Sequence, residues 1–141
     1  MTTLAADKPR SYAPGVAPEI QEYPVIASDI IYEGAAVGEN ASGFMRPLPA
    51  ADVFVGFAVE KVDNSAGAAG AKTVKVRTRG RVQLPVGSLA ITDNDLVKVY
   101  ASDDDTSVKT ATGNSLIGYC SRFISTGVGE VFFDASLAKS G

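Results

Sequence analysis

Apolar and polar positions alternate through most of this chain with a period of two, the spacing of a half-buried strand. The clearest case is 72–79, KTVKVRTR, with Val74, Val76 and Thr78 on one face and Lys75, Arg77 and Arg79 on the other. Gly80 permits a bulge or kink, and 81–86, RVQLPV, then continues with Val82 and Leu84 inward. Residues 53–62, VFVGFAVEKV, predict a strand with Val53, Val55, Phe57 and Val59 on one face. Residues 115–124, SLIGYCSRFI, repeat its form, so that Gly118 aligns with Gly56 and Cys120 with Ala58. Each copy is followed by a Gly-rich turn and a second strand, 72–80 in one case and 129–136 in the other.

Shorter strand signals lie at 29–33 (DIIYE), 43–48 (GFMRPL), 95–101 (DLVKVYA) and around Val108. The stretch 63–71, DNSAGAAGA, reads as a mobile loop without side chains able to pack. No amphipathic helix longer than about two turns is expected, and turn clusters recur roughly every 8–12 residues, as in sandwiches and barrels. The expected fold is all-β: a compact antiparallel barrel or sandwich, jelly-roll-like in one version, built from two related halves over 25–136.

Residues 1–24 break the pattern. They hold four of the seven prolines (Pro9, Pro14, Pro18, Pro24), which favour extended backbone. They read as an extended arm with Leu4, Tyr12, Val16, Ile20 and Tyr23 as apolar anchors, either loose or docked on a neighbouring subunit. The tail 137–141 reads as frayed.

Composition narrows the chemistry. The 141 residues suit one domain that needs neither metal nor disulfide to fold. There is no His, which removes the commonest general base and metal ligand, and Cys120 is the single cysteine. Cys120 fills a small-residue position and is expected to be a packed core thiol, with no His to activate it. The net charge of −3 argues against a dedicated nucleic-acid binder. No run approaches the ~18–20 apolar residues that span a bilayer, and no apolar leader opens the chain, so synthesis in a cytoplasm is expected.

Two charge clusters stand out. Lys72, Lys75, Arg77, Arg79 and Arg81 form a basic stripe, either a solvated strand face or a dock for an acidic partner surface. No aromatic residue is interleaved for base stacking. Asp93, Asp95 and the consecutive Asp103, Asp104 and Asp105 read as turn formers, since a calcium loop needs alternating ligands and a closing Glu. GAAGAK at 67–72 lacks the spacing of a phosphate loop. No cofactor or metal is called for.

Val55 to Ala58, then Gly80, Val82, Leu84 and Pro85, then Asp95 to Tyr100, then Leu116 to Gly118 form a series that resembles the head-decoration (cement) proteins of tailed bacteriophages. Arg81, between Gly80 and Val82, departs from the family's Gly-Val pair, and the similarity covers roughly 25–135. The resemblance implies a non-enzymatic, homo-oligomeric (dimeric or trimeric) protein, made in the host cytoplasm and seated on the outer surface of the virion. There it would bridge subunits of the major capsid protein, contacting neither nucleic acid nor membrane. The arm anchors and Lys75, Arg77, Arg79 and Arg81 are the expected partner-binding residues. Two rivals remain: a carbohydrate-binding or adhesive β-module of a virion tail or fibre, which would need Tyr12, Tyr23, Tyr32, Tyr100 and Tyr119 as a platform, and a small enzyme using Asp29 and Asp95.

Overall fold

The long alternation at 73–85 becomes one uninterrupted strand, and the rest of the molecule is organised around it. In the computed structural model, described for residues 4–13, 19–50, 52–94 and 96–136, eleven strands follow one another. They are β1 (Glu19–Pro24), β2 (Asp29–Ile31), β3 (Ala36–Glu39), β4 (Met45–Pro47), β5 (Val53–Ala58), β6 (Val62–Asn64), β7 (Thr73–Pro85), β8 (Lys98–Asp103), β9 (Thr106–Val108), β10 (Ser115–Ser125) and β11 (Val128–Asp134). Nine form an antiparallel sheet in the order β4-β3-β5-β7-β11-β10-β8-β9, with β1 added to β7; β2 and β6 pair separately. A short 3-10 helix spans Ile91–Asp93.

Strand β7 carries three neighbours on two edges. Arg79 lies opposite both Glu19 and Asp134, and Arg77 opposite both Ile20 and Phe57. A residue has only two lateral sides, so β1 holds one edge while β5 and β11 share the other. The inward residues of β7 divide accordingly. Val74 and Val76 belong to an apolar cluster with Val25, Ile31, Val37, Met45, Val55 and Ala58. Val82 and Leu84 belong to a second cluster with Phe54, Phe57, Val99, Ile117, Cys120, Val131 and Phe133. Phe133 lies edge-on to Phe57 at 5.0 Å and to Phe54 at 6.1 Å. Isolated bridges, Val25 to Met45 and Val86 to Ser107, draw the sheet's ends inward. The barrel is not closed.

Several expectations give way to packing. Gly80 does not kink β7, so Arg81 stays on the side of Arg79. Strand β5 stops at Ala58 rather than residue 62, and its alternation fails: Val53 is exposed, Val55 joins one core cluster and Phe57 the other. The register against β3 shifts at Val37/Gly38, opposite this point. VFVGFA is therefore a strand buried on both faces, for which a continuous apolar run is the appropriate pattern. The loop 63–71 is tied down. Asn64 is buried, and its Nδ2 donates to the carbonyls of Ile26 (2.8 Å) and Ala68 (3.1 Å). Strand β3 falls within a segment that carried no strand signal of its own, and β8 starts at Lys98, because Leu96 takes a left-handed φ of 65°.

The repeated glycines have the same job in both copies. A Cβ on Gly56 would strike the carbonyl oxygen of Arg77, and one on Gly118 would strike that of Phe132. Each lets a neighbouring strand pass at close range.

Candidate functional surface

The basic stripe occupies the outward side of β7, but much of it is engaged by its own chain. The guanidinium of Arg77 sits 3.9 Å above the ring of Tyr12, a cation–π geometry. Arg79 is half-exposed, 3.5 Å from Asp134 and 6.0 Å from the ring centre of Phe132. Arg81 is half-buried, Lys75 is exposed opposite Glu22, and Lys72 donates to the carbonyl of Asp63 at 2.7 Å. Lys72, Lys75 and Arg79 are thus the members that reach solvent.

Part of the stripe is covered by the described N-terminal residues, of which 11–13 and β1 run along β7. The amide of Gln83 donates to Ser11, and that of Ala13 to Arg81, on either side of the bridge between Tyr12 and Val82. Val82 also pairs with Val131, so residues 11–13 take the same edge of β7 as β1. The expected anchors scatter along this line. Leu4 and Tyr23 pack on the first core cluster, and Tyr12 packs on the second with Phe133 at 6.2 Å. Ile20 lies opposite Arg77 and remains 51% exposed. Val16 lies outside the described residues.

The acidic turn between β8 and β9 supplies the other half of this surface. Asp103 shapes the turn by accepting from the Asp105 amide, whereas Asp104 and Asp105 hold residues 4–10. The Leu4 amide donates to Asp104 Oδ2 (3.0 Å); Lys8 Nζ and Arg10 Nη2 reach Asp105 Oδ1 at 2.8 and 3.1 Å. Arg10 is the tightest clasp: its side chain is 4% exposed, its Nε donates to Gly34 O at 2.7 Å, and its guanidinium lies 5.6 Å from the Phe57 ring centre. Asp7 and Lys8 also bond the backbone of Glu33. Gly34, at φ 87°, has the Lys8 carbonyl where a Cβ would project, so a side chain there would block the segment. Sequence reasoning missed Arg10, Asp104 and Asp105 as partners. The only signal was a basic pair near one end and an acidic triplet about a hundred residues away.

Burial sets the electrostatics. Asp104 is buried, and desolvation, helped by Asp103 and Asp105, pushes its carboxyl up to about 6 despite the Leu4 amide. Burial likewise raises the Tyr12 phenol to about 12 against the opposing pull of Arg77 and Arg10. Asp93, expected as a turn former, is held below its ordinary value by Lys109 and by the Ala90 amide at the start of the 3-10 helix. Asp95 lies outside the described residues.

Beyond this segment, the outer side of the sheet places Arg81, Phe132, Tyr119 and Lys98 in one row across β7, β11, β10 and β8. The two half-buried rings are 5.2 Å apart. A groove of about 340 Å³ opens beside β1 and the end of β11, lined by Glu19, Tyr23, Glu39, Arg79 and Asp134 among others. Ile91 and Leu96 project from the β7–β8 connection, 70% and 57% exposed. Among the described residues, no group of three or more acidic or Cys side chains is placed to hold a metal ion, and no helix is long and apolar enough to cross a membrane. Cys120 is buried in the core. Compared with known proteins, the chain matches no family model, no curated protein and no solved structure.

Proposed function

We propose that this chain is a structural protein that binds the outer surface of an assembled phage capsid and stabilises it by bridging major capsid subunits. One observation carries this reading. The residues that resemble cement proteins fall where the framework is made: Gly56 and Gly118 at close strand crossings, and Gly80 to Pro85 as the half of β7 that faces the second core cluster. The resemblance is thus one of scaffold, two related β units sharing β7, with function on the exterior.

The physics of such a protein is mass action. A ligand that binds only the assembled shell stabilises it by about 2.7 kcal/mol per site at a hundredfold excess over Kd. Weak contacts repeated over many sites suffice, and oligomeric seating adds avidity. On this surface the exposed Lys75 and Arg79 supply charge, while Ile91 and Leu96 supply apolar contact. Co-sedimentation with intact and with dissociated capsids tests the reading: pelleting with intact shells alone is the expected result. Equal association with dissociated subunits, or none with either, would sink it. Replacing Lys75 and Arg79 with Glu should weaken attachment at least several-fold, and the loss should shrink at high salt if charge drives docking.

A second reading, a carbohydrate-binding or adhesive module of a tail or fibre, is favoured by the Tyr119–Phe132 pair, an aromatic platform flanked by cations. Glycan binding that is lost in Tyr119→Ala, with capsid binding absent, would favour it.

A further inference from the structure

Among the described residues, five buried side-chain polar atoms lack a hydrogen-bond partner: Tyr12 Oη, Arg77 Nε, Arg81 Nε, Asp104 Oδ1 and Asn64 Oδ1. All but the last lie where residues 4–13 meet the body. Buried orphans are individually costly, and among the described residues they concentrate at the interface that holds this segment. Its contacts are nonetheless specific: two strand bonds to β7, a buried Arg10 clasp, and the Asp104 carboxylate on the Leu4 amide. A segment that fits well but is held under frustration belongs to the low-stability end of a protein's opening spectrum.

We propose that residues 4–13 are an exchangeable strap, and that the seat formed by 33–34, 77–83 and 103–105 takes the same segment from a second copy of this chain. The complementarity is already displayed within one molecule, and an intramolecular contact converts to an intermolecular one once concentration competes with the tether. The strap is a distinct claim from shell binding.

Asp104 gates the exchange. In the closed state its Oδ1 is buried without a hydrogen-bond partner from the chain; lifting the strap hydrates the carboxylate. The charged groups around it are Asp103 and Asp105 in its own turn, Asp7, Lys8 and Arg10 on the strap, and Glu33 on the β2–β3 turn. Asp104, with its carboxyl at about 6 in the closed state, takes up its proton between pH 8 and pH 5. A carboxyl at about 6 when closed and near its ordinary value when open makes opening about tenfold more favourable at pH 8 than at pH 5.

Ser11 and Gln83 face each other across the strap–β7 ladder and are both exposed. The test is S11C/Q83C in a C120A background, mixed as tagged and untagged copies, incubated at pH 5 or 8 over a range of concentrations and then oxidised. Covalent heterodimers should grow with concentration and be about tenfold more abundant at pH 8; D104N should erase the pH difference. Intrachain disulfides alone under every condition would overturn strap exchange, and heterodimers indifferent to pH would overturn the role of Asp104. Hydrogen exchange at the Gln83 amide in the unmodified protein gives an independent reading: faster exchange at pH 8, after correction for the intrinsic rate, supports opening, and unchanged protection opposes it. Co-sedimentation of the intrachain-locked form with capsids separates failure of the strap from failure of shell binding.

Discussion

At the residue scale, a few side chains carry costs that can be removed or added one at a time. Asp104 binds its proton more tightly in the folded chain than in the unfolded one, so folding is penalised as pH rises from about 4 to about 6 and the penalty is then constant. Asp104→Asn should abolish that slope and raise Tm at pH 8 while changing little at pH 4; a thermal melt series across pH reads both. Tyr12→Phe removes a buried hydroxyl without a partner and keeps the ring under Arg77, so it should be neutral or stabilising by about 1 kcal/mol. Gly118→Ala should cost at least about 1–3 kcal/mol, because the new Cβ meets the Phe132 backbone rather than a yielding side chain. Gly113→Ala, with open space around it and φ of 74°, should lose only about 1 kcal/mol from backbone conformation. Denaturant midpoints of the pair distinguish collision from strain.

At the element scale, the N-terminal segment and β7 behave as a unit. Arg10 joins Asp105, the Gly34 carbonyl and the Phe57 ring from a buried position. Arg10→Ala strips a partner from each, but Asp105 is 27% exposed and keeps Lys8, so the expected cost is about 1.5–3 kcal/mol, the range of hydrogen bonds to charged groups. Lys8→Ala should cost less than about 1 kcal/mol, since Lys8 is 46% exposed at the same carboxylate. Equal losses in the two variants, measured by urea unfolding, would contradict the burial argument. Proteolysis of the first dozen residues should be markedly faster in Arg10→Ala.

At the scale of the whole molecule, β7 joins two apolar clusters, with Val74 and Val76 in one and Val82 and Leu84 in the other. Truncating Val76 or Val82 to Ala should therefore produce one cooperative transition shifted downward, not two. The broad reading, an all-β chain with strict alternation over 72–79 and again after Gly80, was available from residue order because period-two burial is a local property; that the two runs make one strand was not. The basic face was equally available, as were Cys120 as a core thiol and the repeated glycines.

What the sequence determined was local: where strands run, which side of β7 is charged, and where glycine is required. The tertiary structure alone decided the partners. Whether Val55 and Phe57 share a face depended on a register shift against β3, and whether the arginines met solvent depended on Tyr12 lying across Arg77. The union of Arg10 with Asp105, across 95 positions of sequence, is written in neither segment. Backbone periodicity is set by neighbours a few residues apart, whereas strand order and charge pairing are set by which distant surfaces lose water together.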